Sequence, residues 1–205
     1  MSNVVVVVDM CRGFLEDGHP LSCGQPARRI IPHVQRLLDE ELAKGSPVLF
    51  VNDAHLPEDP EIATGLYPPH CMKGTVEAEV IPELASYLAR GEFFEKHAYS
   101  GFTNAEFEAR VRELAPERVI VVGVCTDICV LHTAADAFFR GYALEAPEEC
   151  VASFSEENHR FGLAHLRNAL GAKDREAAPT GATGAGAASL PRGQTPGADI
   201  ASPAP

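Results

Sequence analysis

The stretch that decides the fold runs from Gly123 to Ala137 and reads GVCTDICVLHTAADA. It follows an apolar run, residues 118–122, whose β-branched residues and short length suit a buried parallel strand. Helical character begins near Asp127, so Cys129 would lie in the first turn of a helix, beyond the carboxyl end of a central strand. Open α/β sheets expose their reactive groups at that edge. We therefore identify Cys129 as a candidate nucleophile.

The predicted position of Cys129 favours an ionised thiol. Unpaired N–H groups in the first turn of a helix favour an anion and can lower the pKa of a thiol from about 8.5 to roughly 3.5–7.5. The alternative, which this stretch alone supports equally well, is a small buried cysteine that packs the start of the helix.

Length and composition predict one globular domain. The chain has 205 residues, 45% of them hydrophobic, which is enough for one substantial core. A formal net charge of -12 argues against nucleic acid and anionic membranes as partners. The first residues do not resemble a secretion signal, and no stretch is long enough to span a bilayer. Six cysteines in such a chain indicate reduced thiols, so we expect a cytoplasmic protein.

Apolar runs and helical periodicities alternate along the chain. Strands are predicted at 4–8, 47–52, 92–95, 118–122 and 142–146, and helices at 27–44, 76–89, 104–114, from about 127, and at 156–170. This alternation predicts a three-layer α/β/α fold with a doubly wound, mostly parallel sheet. The connection from residue 53 to about 75 is long, proline-rich and irregular, which is uncommon unless it carries function.

The predicted domain covers residues 1–173. Beyond residue 176 the composition changes, because 19 of the last 29 residues are Ala, Gly or Pro and only two are charged. Such a segment lacks the apolar content that would offset its ordering entropy. We therefore expect residues 174–205 to form a disordered tail, with a docking peptide as the alternative.

Four chemically active side chains follow four different predicted strands: Asp9, Asp53, Lys96 and Cys129. In a parallel sheet these strand ends lie at one edge. A carboxylate beside a thiol can accept its proton and pass it to a leaving amine, which makes Asp9 the candidate base. Lys96 could stabilise both anions. Alternatively, Asp9 caps the following loop and Lys96 is a solvated charge.

These residues lie in segments that resemble the isochorismatase-like cysteine hydrolases, in particular the nicotinamidases. The resemblance covers about residues 4–173 and rests on VVVVVDM around Asp9, DAH at 53–55, YPPHCMKGT at 67–75, EKHAYSGF around Lys96 and GVCTDICVLHTAADAFFRGY at 123–142. It implies a Rossmann-like, isochorismatase-like fold and a catalytic triad of Cys129, Asp9 and Lys96. It also implies a cis peptide before Cys125, which would turn the Cys125 N–H toward the Cys129 N–H to form an oxyanion hole.

A candidate metal site lies in the second and third of these segments. Asp53, His55 and His70 combine one carboxylate with two imidazoles, a common first shell for zinc, manganese or iron. In nicotinamidases such a site holds the metal that binds the pyridine nitrogen of the substrate, with a fourth ligand from the intervening loop. That ligand would be Glu61 or, alternatively, Asp59 or Glu58. The competing interpretation is that the histidines cap backbone groups and bind no metal.

The resemblance also implies a substrate pocket lined by Phe14, Tyr67 and Tyr99, which would suit a planar heteroaromatic amide. Each could equally be an ordinary core or loop aromatic residue. The family often carries Gln or Asn shortly after the first aspartate, and an acidic residue before the phenylalanine. This chain has Cys11, Arg12 and Gly13 there, which leaves the substrate open.

The leading hypothesis is a metal-dependent amidohydrolase that converts a small carboxamide, such as nicotinamide, into the acid and ammonia through a thioester on Cys129. A related hydrolase acting on a carbamoyl or ureido compound, or on isochorismate, is the nearest alternative. A phosphoacceptor receiver module and a non-catalytic binding scaffold are the alternatives from other classes. By analogy with such families, a homo-oligomer is possible.

Overall fold

The computed structural model describes residues 2–175. Of the predicted tail, all but residues 174 and 175 lie outside the described residues. The strands are β1 (Asn3–Val8), β2 (Val48–Asp53), β3 (Glu92–Lys96), β4 (Arg118–Val124), β5 (Ala143–Glu145) and β6 (Val151–Ala152). The helices are α1 (Arg12–Leu15), α2 (Gly24–Ala43), α3 (Pro60–Ala63), α4 (Ala85–Leu88), α5 (Ala105–Leu114), α6 (Cys129–Phe139) and α7 (Glu156–Asn168).

The sheet has the strand order β3-β2-β1-β4-β5, and β6 pairs with the far end of β4. Every strand pairing within residues 2–175 is parallel. The carboxyl ends of β1, β2, β3 and β4 are therefore adjacent at one edge, as the alternating pattern predicts. No helix in the described part of the chain is long and apolar enough to cross a bilayer.

The five valines of β1 show how the sheet is buried on both faces. Val5 and Val7 belong to a core that includes Ile30, Ile31 and Leu38 of α2. Val4, Val6 and Val8 belong to a second core, whose helical residues include Phe107 of α5, Val130 of α6 and Leu166 of α7. Because successive side chains of a strand point to opposite faces, the helices form one layer on each side. The predicted α/β/α fold is confirmed.

The predicted helix at 76–89 is wrong. The structure has two short 3-10 helices, Val76–Ala78 and Pro82–Leu84, followed by the single turn of α4. Pro82 has no N–H to donate, and it forces the residue before it into an extended conformation, with φ -58° and ψ 147° at Ile81. The extended conformation at Ile81 therefore interrupts the helical path. The helix predicted to start near residue 104 is confirmed, with the Asn104 side chain accepting the Phe107 N–H at 2.9 Å.

Gly123, near the end of β4, allows the two central strands to approach each other. Its φ is +116°, and a Cβ atom there would lie 1.9 Å from the carbonyl oxygen of Val8. Any other residue would have to push β4 away from β1. This glycine therefore lets the connection that leads to Cys129 start beside Asp9.

We expect the substitution Gly123→Ala to lower the free energy of unfolding by more than about 4 kcal/mol, because the methyl group overlaps backbone atoms of Val8. Gly141→Ala is the matched control. Gly141 also has a positive φ, 89°, but a Cβ atom there would have no neighbour within 4 Å, so only about 1–2 kcal/mol should be lost. Urea unfolding of both variants measures the difference, and equal losses would contradict the packing argument.

Candidate active site

The four strand-end side chains meet at one point. Asp9 follows β1 directly, Asp53 and Lys96 are the last residues of β2 and β3, and Cys129 begins α6. All four are buried, and Lys96 and Asp9 are inaccessible to solvent. Because the strands are adjacent, four residues that are distant in sequence form one cluster.

Lys96 lies at the centre of this cluster. Its Nζ is 2.8 Å from Asp9 Oδ2 and 3.5 Å from Cys129 Sγ, and it also forms an ion pair with Asp53 Oδ1. Asp53 contributes its backbone as well, because its N–H donates to Asp9 Oδ1 at 2.7 Å. Asp9 has a φ of +51°, a strained conformation for a non-glycine residue that active sites often contain. These contacts fix the carboxylate of Asp9 beside the thiol.

Burial controls the protonation of the cluster. Burial and the charge of Asp53 raise the pKa of Asp9 to about 6, although Lys96 acts in the opposite direction. Burial also raises the pKa of the Cys129 thiol well above its usual value, more strongly than the Lys96 charge lowers it. The expectation that the helix N-terminus lowers this pKa is therefore wrong, because loss of solvation dominates. At neutral pH the thiol holds its proton and Asp9 is ionised to accept it.

The connection between β4 and Cys129 carries two backbone donors. The peptide bond between Val124 and Cys125 is cis, as the resemblance implies. The N–H groups of Ile128 and Val130 both donate to the Cys125 carbonyl oxygen, at 3.0 and 3.1 Å. For the N–H groups of Cys125 and Cys129, in contrast, no acceptor exists among residues 2–175. These two donors are available to an oxyanion at the thiol.

The candidate metal ligands also lie together. One ligand atom from each of Asp53, His55 and His70 lies within 4.8 Å of the others, and all three residues are buried. His55 Nε2 is 3.1 Å from Glu61 Oε1 and 3.4 Å from Asp53 Oδ2, but neither contact has hydrogen-bond geometry, so this nitrogen has no hydrogen-bond partner among the described residues. His70 Nδ1 donates to the Pro68 carbonyl oxygen at 2.9 Å, which leaves the lone pair on Nε2. The donor set fits a divalent cation.

The geometry separates the three candidates for the fourth ligand. Asp59 accepts from His55 Nδ1 at 3.0 Å and from the Leu56 N–H at 2.9 Å, so it orients the imidazole from the side away from Nε2. Glu58 is exposed. Glu61, near the start of α3, is the loop carboxylate that faces His55 Nε2. It is therefore the best-placed fourth ligand.

Charge at this cluster favours a cation. Burial lowers the pKa of His55, but the nearby carboxylates of Asp53, Asp59 and Glu61 outweigh burial and raise the pKa to about 9. Burial raises the pKa of Asp53, but Lys96 and His55 outweigh it and lower the pKa to about 2. The carboxylates that favour a proton on His55 would equally favour a metal ion in place of that proton.

A pocket of about 300 Å³, including its open mouth, lies beside Cys129 and this cluster. Its lining includes the three predicted aromatic residues, Phe14, Tyr67 and Tyr99. The remaining lining residues are Leu21, Asp53, Glu61, His70, Cys125, Ile128, Cys129 and Phe154. The pocket residues Leu21, Ile128 and Phe154 were not predicted from the sequence. Ile128 could have been predicted from its place just before Cys129, whereas Leu21 and Phe154 lie in connections without any periodic pattern.

The residues that depart from the family pattern lie outside this lining. Cys11 is fully buried, with its sulfur 3.6 Å from that of Cys71. The Arg12 side chain forms an ion pair with Glu16 at 3.0 Å. Neither residue reaches the pocket, so the departure does not alter its walls. A second thiol contact joins Cys23 and Cys125 at 3.5 Å, and all six cysteines are free.

We expect Lys96→Met to lower the free energy of unfolding by about 3–5 kcal/mol, because two buried carboxylates lose the cation between them. Lys73→Met is the matched control, since Lys73 pairs with Glu95 on the surface and exposed pairs contribute at most about 1 kcal/mol. Urea unfolding at neutral pH compares the two variants. A Lys96→Met protein as stable as the control would show that the ammonium is not needed to balance Asp9 and Asp53.

Comparison with known proteins places this site in a family. The isochorismatase domain matches residues 3–174. The crystal structure of a pyrazinamidase/nicotinamidase from Streptococcus mutans is 35% identical, covers 85% of this chain and 100% of its own, and has a TM-score of 0.79. N-carbamoylsarcosine amidase from Thermoplasma acidophilum is 34% identical, with coverages of 85% and 96% and a TM-score of 0.74. Pyrazinamidase of Pyrococcus horikoshii in complex with zinc is 26% identical, with coverages of 86% and 99% and a TM-score of 0.72. The chain belongs to the isochorismatase family.

Proposed function

We propose that the protein hydrolyses a small planar carboxamide, with nicotinamide as the best candidate, to the carboxylate and ammonia. The protein is an isochorismatase-family amidohydrolase, and relatives at 35% and 26% identity are named for nicotinamide or pyrazinamide hydrolysis. The observation that carries the proposal is the contact of Lys96 with both Asp9 and Cys129, beside a pocket with aromatic walls.

Acylation follows from this arrangement. Asp9 accepts the proton of the Cys129 thiol as the sulfur attacks the amide carbon, so the charged thiolate never has to exist alone in a buried site. Lys96 remains an ammonium throughout, since burial lowers its pKa less than Asp53 and Asp9 raise it. The oxyanion accepts from the N–H groups of Cys125 and Cys129, and one such donor typically lowers the barrier by about 2.7–4 kcal/mol. Protonated Asp9 then gives its proton to the amide nitrogen, the C–N bond breaks, and ammonia leaves while the thioester forms on Cys129.

Deacylation uses the same groups. After ammonia leaves, Asp9 is again a carboxylate and can accept a proton from a water molecule that attacks the thioester carbon. The oxyanion returns to the same two N–H groups, and collapse of the intermediate releases the carboxylic acid and restores the thiol. One base thus acts in both half-reactions, which fits a pKa of about 6 near neutral operating pH.

We also propose that Asp53, His55, His70 and Glu61 hold a divalent ion, with zinc first and manganese or iron as alternatives. The partnerless Nε2 of His55 and the mixed donor set fit such an ion, and the pyrazinamidase of Pyrococcus horikoshii is a zinc complex. When bound, the ion would supply a Lewis acid for the ring nitrogen of the substrate and so fix its orientation.

Tyr67 and Tyr99 remain neutral at any physiological pH, since burial raises the pKa of each phenol.

Two alternative hypotheses, a receiver module and a hydrolase of carbamoyl compounds, can be compared with this site. A receiver module needs its aspartates to bind magnesium, but here the ammonium of Lys96 lies between Asp9 and Asp53. A carbamoyl substrate stays the second candidate, because N-carbamoylsarcosine amidase is nearly as similar as the nicotinamidase relative. The cytoplasmic location and a homo-oligomeric state remain predictions.

We expect Cys129→Ala to abolish ammonia release from nicotinamide, lowering kcat by at least about 10³-fold, because the variant lacks the thiol that contacts Lys96. Cys150→Ala is the matched control, since Cys150 is buried in the core, away from the pocket. Ammonia release is measured for nicotinamide, pyrazinamide, carbamoyl and ureido compounds. Equal turnover in the two variants would reject the nucleophile, and preferential hydrolysis of a carbamoyl compound would replace the proposed substrate.

We expect the purified protein to bind about one zinc ion per chain, and His70→Ala to weaken that binding by about 10–100-fold, because one of the four ligands is lost. Elemental analysis after dialysis against zinc measures the bound metal independently of activity. His33→Ala, a surface variant, should keep the metal. Wild-type protein that binds no zinc, manganese or iron under these conditions would refute the site.

A further inference from the structure

The connection that carries the oxyanion donors, residues 125–128, is attached to a later part of the chain. The Thr126 N–H donates to the carbonyl oxygen of Ala152 in β6 at 2.9 Å. The Ser153 hydroxyl donates to Asp127 Oδ1. Ala152 and Ser153, just before α7, therefore form hydrogen bonds with the backbone and with a side chain of this connection.

Helix α7 makes two further contacts with the same connection. His159 Nδ1 lies 2.9 Å from Thr126 Oγ1, and Thr126 is fully buried. Gly162, one turn later, lies so close that a Cβ there would be 2.7 Å from the Thr126 carbonyl carbon. Residues 159 and 162 lie on one face of a helix. That face therefore packs directly on the backbone between the two oxyanion donors.

The side chain of His159 is only partly buried and does not line the pocket. Among residues 2–175, its one polar contact is with the hydroxyl of Thr126. Cys125 and Cys129, the two donor residues, lie one and three positions from Thr126. A shift of Thr126 would consequently move the donors relative to the thiol.

We propose that His159 is a positioning residue: its hydrogen bond to Thr126 fixes the backbone of residues 125–129 in the arrangement that an oxyanion requires. Donors to an oxyanion are effective only when they are held at hydrogen-bond distance from the developing charge, so a small displacement lowers the rate without weakening substrate binding. The catalytic consequence rests on the proposed function, but the ordering of residues 125–129 does not.

Three variants test this role. His159→Leu keeps a branched side chain but removes the polar atom, whereas His159→Asn places a polar atom at the same bond distance from Cβ as Nδ1. His165→Leu is the matched control, because His165 is exposed on the same helix and its ring lies beside that of Phe161, away from Thr126. As a further check, Thr126→Val removes the other half of the hydrogen bond while preserving the shape of the buried side chain.

Two measurements are needed for each variant. Amide hydrogen exchange of a peptide covering residues 125–129 requires no substrate and reports the ordering directly. Steady-state kinetics with nicotinamide report kcat and KM separately. We expect His159→Leu to accelerate exchange in this segment about tenfold and to lower kcat about tenfold with KM within about twofold of the wild type. His159→Asn should recover both values, and His165→Leu should change neither.

The coupling between the two residues can also be measured. If the hydrogen bond is the cause, Thr126→Val should reproduce the effect of His159→Leu, and combining the two should add little. Exchange in residues 125–129 that is unchanged in His159→Leu, or that rises equally throughout α6 and α7, would overturn the proposal. If no variant and no wild-type protein hydrolyses an amide, the proposed function fails while the exchange data still decide the role of His159.

Discussion

One buried ammonium controls the electrostatics of this site. Lys96 has no access to solvent, and it lies within ion-pair distance of Asp9 and Asp53 and 3.5 Å from the Cys129 sulfur. Two carboxylates this close would not both ionise without a cation between them. The ammonium therefore allows Asp53 to stay ionised, with a pKa of about 2, while Asp9 keeps a pKa of about 6. Neighbouring strands thus supply one permanent anion and one exchangeable proton acceptor.

Asp53 joins the nucleophile to the candidate metal cluster. One of its carboxylate oxygens pairs with Lys96, the other lies 3.4 Å from His55 Nε2, and its N–H donates to Asp9. A change of charge at His55, His70 or Glu61 therefore alters the electrostatic potential at Asp9 through the Asp53 side chain. In the proposed mechanism, substrate orientation and proton transfer are separate tasks, and Asp53 contacts the groups responsible for both.

The sequence predicted the parts of the site that topology determines. A parallel sheet brings consecutive strand ends to one edge, so Asp9, Lys96 and Cys129 could be predicted to meet without knowing any side-chain contact. The protonation state of Cys129 could not be predicted, because the pKa of its thiol depends on how completely the fold excludes water. The choice among Glu61, Asp59 and Glu58 required the course of an irregular loop, which no periodic pattern describes. The broken helix at 76–89 was predictable in principle, since a proline such as Pro82 disfavours a helical conformation of the residue before it.

The irregular connection after β2 contributes His55, Glu61, Tyr67 and His70 to the candidate metal cluster and the pocket, from a stretch of fewer than twenty residues. Its far end returns to its start, because the His55 N–H donates to the Cys71 carbonyl oxygen and the Lys73 N–H donates to the His55 carbonyl oxygen. The stretch is thus a closed loop whose two ends are bonded to each other just beyond β2. Residues within such a loop can change without displacing the strand ends that hold Asp9, Asp53 and Lys96.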